Sequence, residues 1–538
     1  MSETGQSYDF IVVGAGSAGC AVAARLAENG RFSVLLLEAG GRDWNPWIHI
    51  PVGYFKTMHN KATDWCYETE PDQGIGGRSL KWPRGRVLGG SSSINGLLYV
   101  RGQREDYDHW ADLGCEGWSY DEVLPLFKRA EDHYLGESDY HGAGGPIHVS
   151  EVTFKRDICD AFIDAAANIG VPRNDDINGA TQEGVGYFQL TAHKGRRCSA
   201  AQGYFRRIPR GAGLKIETGC EAQKLLIEDG RAVGVRYLHN GRPATARATR
   251  EVVLSAGAIG SPQLLMLSGI GPEAELAQHG IDLVRERNEV GQNMKDHLQL
   301  RMVYRTRRPI TLNDDLKSWF SQVRAGIEYA LRRTGPLTLA ASQVVGFCCT
   351  GLTGKRPDIQ YHLQPLSADS PGEGLHPYSA ITVSVCQLRP ESKGHIELQS
   401  ADFRDHPAIV PNYLDTEFDR KTAVESLKFS RAIMQAEPMA GEIEREDLPG
   451  SQYQSDDELL QAARNIANTI YHPTGTCRMG SDTDAVVDPQ LRVNGIAGLR
   501  VADASIMPEI VSGNTNAPAI MIGEKAAAML LAEHGAAG

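Results

Sequence analysis

YDFIVVGAGSAGCAVAARLAENGRFSVLLLE, residues 8–38, is a complete βαβ unit in one line of sequence. Tyr8–Val13 is a short, nearly continuous apolar run, the composition of a parallel strand buried on both faces. Gly14, Gly16 and Gly19 form G-x-G-x-x-G, with Ser17 and Ala18 between them, and an alanine-rich helical stretch follows to Asn29-Gly30. A second strand, Ser33–Leu37, ends at Glu38-Ala39. The first glycine permits a tight turn, the second admits a pyrophosphate to the backbone, and the third lets helix and strand pack closely. Glu38, at the end of the second strand, is placed to accept hydrogen bonds from an adenosine ribose. The order of strand, loop, helix, strand and acid predicts dinucleotide binding and leaves NAD and FAD both open.

A second stretch, Pro83–Gly102 (PRGRVLGGSSSINGLLYVRG), bears on that choice. It sets a glycine pair and a serine triplet between arginine-flanked segments, far from the fingerprint. A protein that binds only NAD has no use for a second loop that approaches phosphate and ring. A flavoprotein must hold the pyrophosphate and also shield an isoalloxazine ring, so the pair of loops favours FAD.

At 538 residues the chain exceeds one simple core and predicts about two domains. Its composition, 41% hydrophobic and 23% charged, is that of an ordinary globular protein. A net charge of −12 argues against nucleic acid, which requires a basic face. Ten scattered cysteines without a C-x-x-C pair or a His/Cys cluster predict free thiols in a reducing compartment and no metal centre. The N-terminal MSETGQSYDF lacks the basic and apolar regions of a secretory signal, and no run reaches the ~18 apolar residues of a membrane span. A cytoplasmic protein is expected, with room for peripheral contact at the inner membrane face.

Further along, strand-like runs at 214–219, 221–227, 232–237 and 251–255 predict a small meander returning to the first domain. Runs at 359–364, 380–388 and 395–398, with helical stretches near 316–333 and 415–436, predict an antiparallel sheet. The expected fold is mixed α/β, a Rossmann-like FAD-binding domain interleaved with an antiparallel-sheet substrate domain. Segments 1–151, 217–308 and 462–538 are assigned to the first, and 152–216 and 309–461 to the second.

The ordered set GAGSAG, LLLEAG, PRGRVLGGSSSING, GAIGSPQLLMLSGIGP, VGQNMKDH, YHPTGTCRMG, VADASIMP and SGNTNAPAIMIGEKAA resembles the glucose–methanol–choline family of FAD-dependent alcohol oxidoreductases. The likeness runs from Tyr8 to about Ala528 and is greatest to choline-dehydrogenase-like and aryl- or alkyl-alcohol-oxidising members. It implies that Arg86, Gly89, Gly90, Ser91, Asn95 and Gly96 line the pyrophosphate and flavin ring. It also implies that Ala222 meets the adenine through its backbone and that Ala256 belongs to the cofactor wall. Asp503 and Ala504 would close over the ribityl–phosphate region, and Asn516, Ala517 and Pro518 would approach the pyrimidine end of the ring. Val100 would lie near the flavin carbon that decides oxygen reactivity. Some relatives attach FAD through a histidine just before the asparagine of the serine-rich loop; Ile94 stands here, so non-covalent FAD is expected. Arg196–Ala200 resembles a family segment near the FAD edge.

His472, in YHPTGTCRMG, is the expected catalytic base, since a histidine suits removal of an alcohol proton near neutral pH. The family pairs this histidine with a second residue about 44 positions on, which is Asn516 here, with Asn514 a near neighbour. Tyr471 is expected to line the substrate pocket. Asp296-His297 reads as a structural turn, while His362 and His395 read as core or surface residues, and Arg206–Arg210 as a solvated turn. The implied reaction is oxidation of a primary alcohol to the aldehyde with hydride transfer to flavin N5. Electrons would pass to a quinone or artificial acceptor, or to O2 in an oxidase acting on aryl or furanic alcohols. A flavin-containing hydroxynitrile lyase is the remaining alternative. No carboxylate with an aromatic cage for choline is legible, so an uncharged alcohol is the expected substrate.

Overall fold

The computed structural model describes residues 6–28, 30–209, 211–369 and 374–535. The N-terminal MSETG, the expected helix end at Asn29 and the last residue of the cationic run, Arg210, lie outside them; Arg206 and Arg207 are exposed. Two seven-stranded sheets organise the molecule.

The first sheet grows from the opening βαβ unit: β1 (Gln6–Val13), α1 (Ser17–Ala27) and β2 (Val34–Glu38). It is completed by β3 (Leu214–Thr218), β4 (Cys220–Glu228), β5 (Arg231–His239), β6 (Arg242–Leu254) and β7 (Leu499–Val501). The order is β3-β2-β1-β6-β5-β4, with β7 beside β6. Parallel pairs join β3, β2, β1, β6 and β7, whereas β4, β5 and β6 form the expected antiparallel meander. β6 serves both patterns. Its polar first half, RPATARA, pairs with β5, and its apolar EVVL end runs buried between β1 and β7. Alanine dominates α1 because the helix is buried on nearly all sides, where small side chains allow close packing against β-strands and helices. Two further helices matter to the site, α2 (Gly257–Leu267) and α3 (Asn516–Gly535).

The second sheet is antiparallel throughout. Its order is Ile443–Leu448, Leu298–Thr306, Ala380–Gln387, Ile359–Gln364, Val344–Cys348, Gly184–Tyr187, with Ala467–Thr469 alongside Leu298–Leu300. Strands Leu298–Thr306 and Ala467–Thr469, which the sequence reading places in the FAD-binding unit, therefore belong to this sheet. LQLRMVYRT alternates with period two from its first residue, so the sheet begins before the change of texture near 309. The run at 395–398 also differs: His395–Glu397 pairs with Ala408–Val410 in a separate ribbon. Expected helices occur at Trp319–Arg332 and Glu417–Gln435.

Register gives the second sheet two unlike faces. Gln299, Cys386 and Gln360 are cross-strand neighbours, as are Arg301, Ser384 and His362, and Val303, Thr382 and Gln364. These nine share one face because directly opposed residues and alternate residues along a strand point the same way. The other face carries Leu300, Met302, Tyr304, Tyr361, Leu363, Val383 and Val385, all buried. Helix Glu417–Gln435 covers it, with Tyr361 Oη donating to Ser426 O at 3.2 Å.

Candidate functional site

One cavity of about 770 Å³ runs from the tips of β1 and β2 to the polar face of the second sheet. Three helices begin on its wall: α1 at Ser17, α2 at Gly257 and α3 at Asn516. Their unsatisfied N–H groups and positive dipole ends make that wall a receptor for negative charge. Ser17 Oγ donates to Asn516 Oδ1 at 2.7 Å and so ties the first turns of α1 and α3 together. Asp503 secures the start of α2: its Oδ2 accepts from Gly257 N (2.9 Å) and Ser261 Oγ (2.6 Å), and its Oδ1 from Ser505 N (2.8 Å).

At the β2 tip, Glu38 accepts from Ala15 N at 3.0 Å and Gly40 N at 2.8 Å. Burial pushes its carboxyl up to about 7 despite those donors. Arg86 pairs with Glu221 across the same end, with its guanidinium 4.8 Å from the Trp65 ring centroid. Two glycines test whether a dinucleotide fits. A Cβ on Gly19 would lie 1.9 Å from Gly14 O, so α1 could not seat on the turn after β1. A Cβ on Gly16 would meet nothing nearer than Ser255 O at 4.0 Å, so packing does not require this glycine. What it keeps clear is the cavity surface over the first turn of α1. An open trough, lined by helix N-termini and ending at a buried acid, fits FAD.

At the other end stands His472, 7% exposed, in the loop after Ala467–Thr469. Tyr471 adopts a left-handed backbone (φ 69°), rare for a bulky residue, and the turn directs His472 N onto Asp296 Oδ1 at 2.6 Å. Asp296 is itself held by Thr469 Oγ1 (2.6 Å) and Tyr413 Oη (2.5 Å). Both ring nitrogens of His472 are engaged: Nδ1 lies 3.0 Å from His297 Nδ1, and Nε2 lies 3.1 Å from Asn514 Nδ2.

The proton positions follow from the ends of this chain. Leu388 O, 2.9 Å from His297 Nε2, can only accept, so His297 carries its proton on Nε2 and accepts at Nδ1. His472 then donates from Nδ1 and leaves Nε2 as a lone pair. On the other side Gln360 Nε2 donates to Asn514 Oδ1 at 3.2 Å, which turns the Asn514 amide nitrogen toward His472. Burial holds both histidines neutral. It keeps His297 down at about 4 and His472 well below the ordinary histidine value, with His297 and His362 lowering His472 further.

The sequence expectations meet this geometry unevenly. The expected cofactor residues line the cavity, except Gly19, Gly89, Val100, Ala517 and Pro518, which sit behind its wall. Val100 is fully buried and faces the backbone of Gly513, where a Cβ would lie 2.5 Å from Val100 Cγ1; it does not reach the cavity. Asn516 is not the partner of His472. Its side chain serves Ser17, and Asn514, two residues earlier and still in the loop, takes the expected place. Asp296-His297 is no remote turn: both residues hold His472. His362 lines the cavity rather than the core, whereas His395 stays outside it. Arg197, from the Arg196–Ala200 segment, is buried and braces the serine-rich loop through Ser92 O (3.2 Å) and Asn95 Oδ1 (2.6 Å). Asn514 had a sequence signal, since a proline in the first turn marks a helix start, and Pro518 dates the start of α3 to 516. All ten cysteines are free. Two groups of metal-capable side chains do come together, Glu217/Cys220/His239 and Glu251/Glu533/His534, the second ion-paired with Arg500.

The family profile of GMC oxidoreductases matches residues 8–299 and 390–523. The chain is 43% identical over 533 residues to an alcohol dehydrogenase [acceptor] of Pseudomonas putida, covering 97% of this chain and 96% of that one. It is 44% identical over 537 residues to the mitochondrial choline dehydrogenase of Homo sapiens, covering 98% and 90%. Among solved structures, pyridoxine 4-oxidase from Mesorbium loti superposes with a TM-score of 0.89 at 33% identity, covering 98% and 99%. No helix among the described residues is long and apolar enough to cross a membrane.

Proposed function

Because the chain belongs to the GMC oxidoreductases, FAD-binding enzymes acting on alcohol-type donors, we propose that it oxidises a primary alcohol to the aldehyde with His472 as the base. The observation that carries this reading is the unprotonated Nε2 of a neutral, buried His472 on the cavity wall, which accepts from Asn514 Nδ2 while Nδ1 is held by His297.

Gly16, Ser17, Arg86, Ser91, Ala256 and Asn516 would hold FAD, non-covalently since Ile94 offers no point of attachment. Bound FAD supplies the two-electron acceptor. The substrate hydroxyl donates its proton to His472 Nε2 as the carbinol carbon is oxidised. Asn514 Nδ2, 3.1 Å from that nitrogen, donates to the substrate oxygen and orients it. The charge that develops on His472 is met at Nδ1 by His297, which is poised to accept and cannot donate there. Asp296, through the backbone of His472, fixes the ring in the cavity wall. Segments 298–306 and 467–469 join the substrate side, and the rest of the interleaved division stands as proposed from sequence. Electrons leave to a quinone or similar acceptor rather than to O2; in support, the Pseudomonas putida relative is named for an acceptor, which its name leaves unspecified.

An anaerobic titration of the FAD-loaded protein with primary alcohols, followed by air, tests this. Bleaching of the flavin, with slow recolouring in air and fast recolouring with a quinone, is expected. Rapid recolouring in air would make it an oxidase, and an unbleached flavin with cyanide released from a cyanohydrin would make it a lyase.

A further inference from the structure

Resting on the alcohol-oxidation reading, we propose that the substrate carries a carboxylate, set back from its carbinol carbon, which pairs with Arg301. The polar face of the second sheet lies over the cavity, and its central row is Arg301, Ser384 and His362. These residues are 6%, 0% and 2% exposed. The Arg301 side chain, on the cavity wall, makes no hydrogen bond or ion pair among the described residues, and Ser384 Oγ and His362 Nε2 are buried without a partner. A buried guanidinium and two orphaned neutral groups side by side are costly unless something completes them. Arg301 and His362 both line the cavity.

The charge around Arg301 is one-sided. The carboxylates on the cavity wall are Glu38, Asp64, Glu221, Asp405 and Asp503. Glu38, Asp64 and Asp503 are engaged by backbone amides, and Glu221 by Arg86. Burial pushes the Arg301 guanidinium below the ordinary arginine value, and the groups that offset this are Tyr471 and Tyr54, phenols that are uncharged near neutral pH. A quaternary ammonium would thus meet an unpaired cation here, whereas a carboxylate would meet a planar fork matched to its two oxygens. Position along the strand sets the spacing. His297, Gln299 and Arg301 follow one another at alternate positions, so the row of Arg301 lies about 13 Å of strand beyond the residue that holds His472, at ~3.3 Å per residue. A long arginine side chain spans part of that, and the substrate's spacer the rest. On this proposal the substrate is a hydroxy acid, in place of the uncharged alcohol expected from the sequence.

The test compares 4-(hydroxymethyl)benzoate with its methyl ester on the FAD-loaded enzyme, and measures binding of 4-methylbenzoate, which has no hydroxyl to oxidise. A kcat/KM about ten- to a hundredfold higher for the acid is expected, the worth of a charge-assisted pair. Arg301→Met should bring the ratio near one and weaken 4-methylbenzoate binding at least about tenfold. Arg301→Lys, which keeps the charge and loses the fork, should retain part of both. A wild type that prefers the ester, or 4-methylbenzoate binding indifferent to Arg301→Met, would overturn the proposal. If neither alcohol is oxidised while 4-methylbenzoate binding still depends on Arg301, the anion subsite stands and the oxidation reading falls.

Discussion

Replacing His297 by leucine should slow substrate oxidation without emptying the cofactor site. His297 Nδ1 accepts from His472 Nδ1–H at 3.0 Å in a buried pair, with the rings nearly perpendicular at 86°. Leucine leaves that N–H without an acceptor, which costs about 1–3 kcal/mol for a buried neutral group. The cost grows when His472 takes the substrate proton, because the bond is then charge-assisted and roughly twice as strong. The difference between the two states is about 1.5–3 kcal/mol, or a ten- to hundredfold fall in the rate of flavin bleaching at limiting substrate. Leucine also permits the other His472 tautomer, which presents N–H instead of a lone pair to the hydroxyl. His297→Gln places an amide oxygen where Nδ1 accepted and should recover most of the rate. Anaerobic stopped-flow reduction of the three FAD-loaded proteins measures this, with visible absorbance confirming equal loading. A His297→Leu enzyme that bleaches within about threefold of wild type would refute the assignment of proton positions and the role given to His297.

The two asparagines should separate by phenotype: Asn514→Ala should lower kcat/KM about a hundredfold with FAD retained, whereas Asn516→Ala should chiefly weaken FAD retention and cost about 1 kcal/mol, read by cofactor release on gel filtration and by thermal melting. In the pH profile of kcat/KM, the active form of His472 is neutral and its pKa is lowered, so the rate should hold through neutrality and fall only as pH drops below the ordinary histidine value of ~6.5. An acid limb centred above that value would contradict a buried neutral base. Gly19→Ala should yield protein that cannot retain FAD, since the new methyl group would overlap Gly14 O. Flavin absorbance at normal loading in that variant would show that the turn can give way.

The cofactor half was legible because its information is local. Gly14, Gly16, Gly19 and Glu38 fall within one supersecondary unit, where spacing alone fixes roles. The reaction end draws on residues that sequence separates widely. His297 and His472 are 175 positions apart, and although VGQNMKDH is one of the motifs that carry the family resemblance, nothing in it says that Asp296 and His297 meet the base. The choice between Asn514 and Asn516 depended on where a helix begins, a matter of two residues, and boundaries are what local pattern specifies least well. Spacing from His472 pointed to the residue that opens α3, but a side chain in the loop before the helix was the one free to reach the ring. The polar face of the second sheet was hidden for another reason. Gln299 and Arg301 read as ordinary strand alternation, and only the register against Ser384 and His362 shows that their face is enclosed.

That sheet carries a consequence for how such an enzyme could change its diet. Four positions of one face, Gln299, Arg301, His362 and Gln364, line the cavity, while the reverse side holds the packing against Glu417–Gln435. Substitutions at these positions alter what the chamber recognises while the side chains that anchor the sheet stay as they were. One row touches the proton chain through Gln360 and is constrained by the chemistry. Arg301, His362 and Gln364 lie outside that row, so new substrates can be acquired by editing alternate letters of two strands, with the base and the cofactor cradle left untouched.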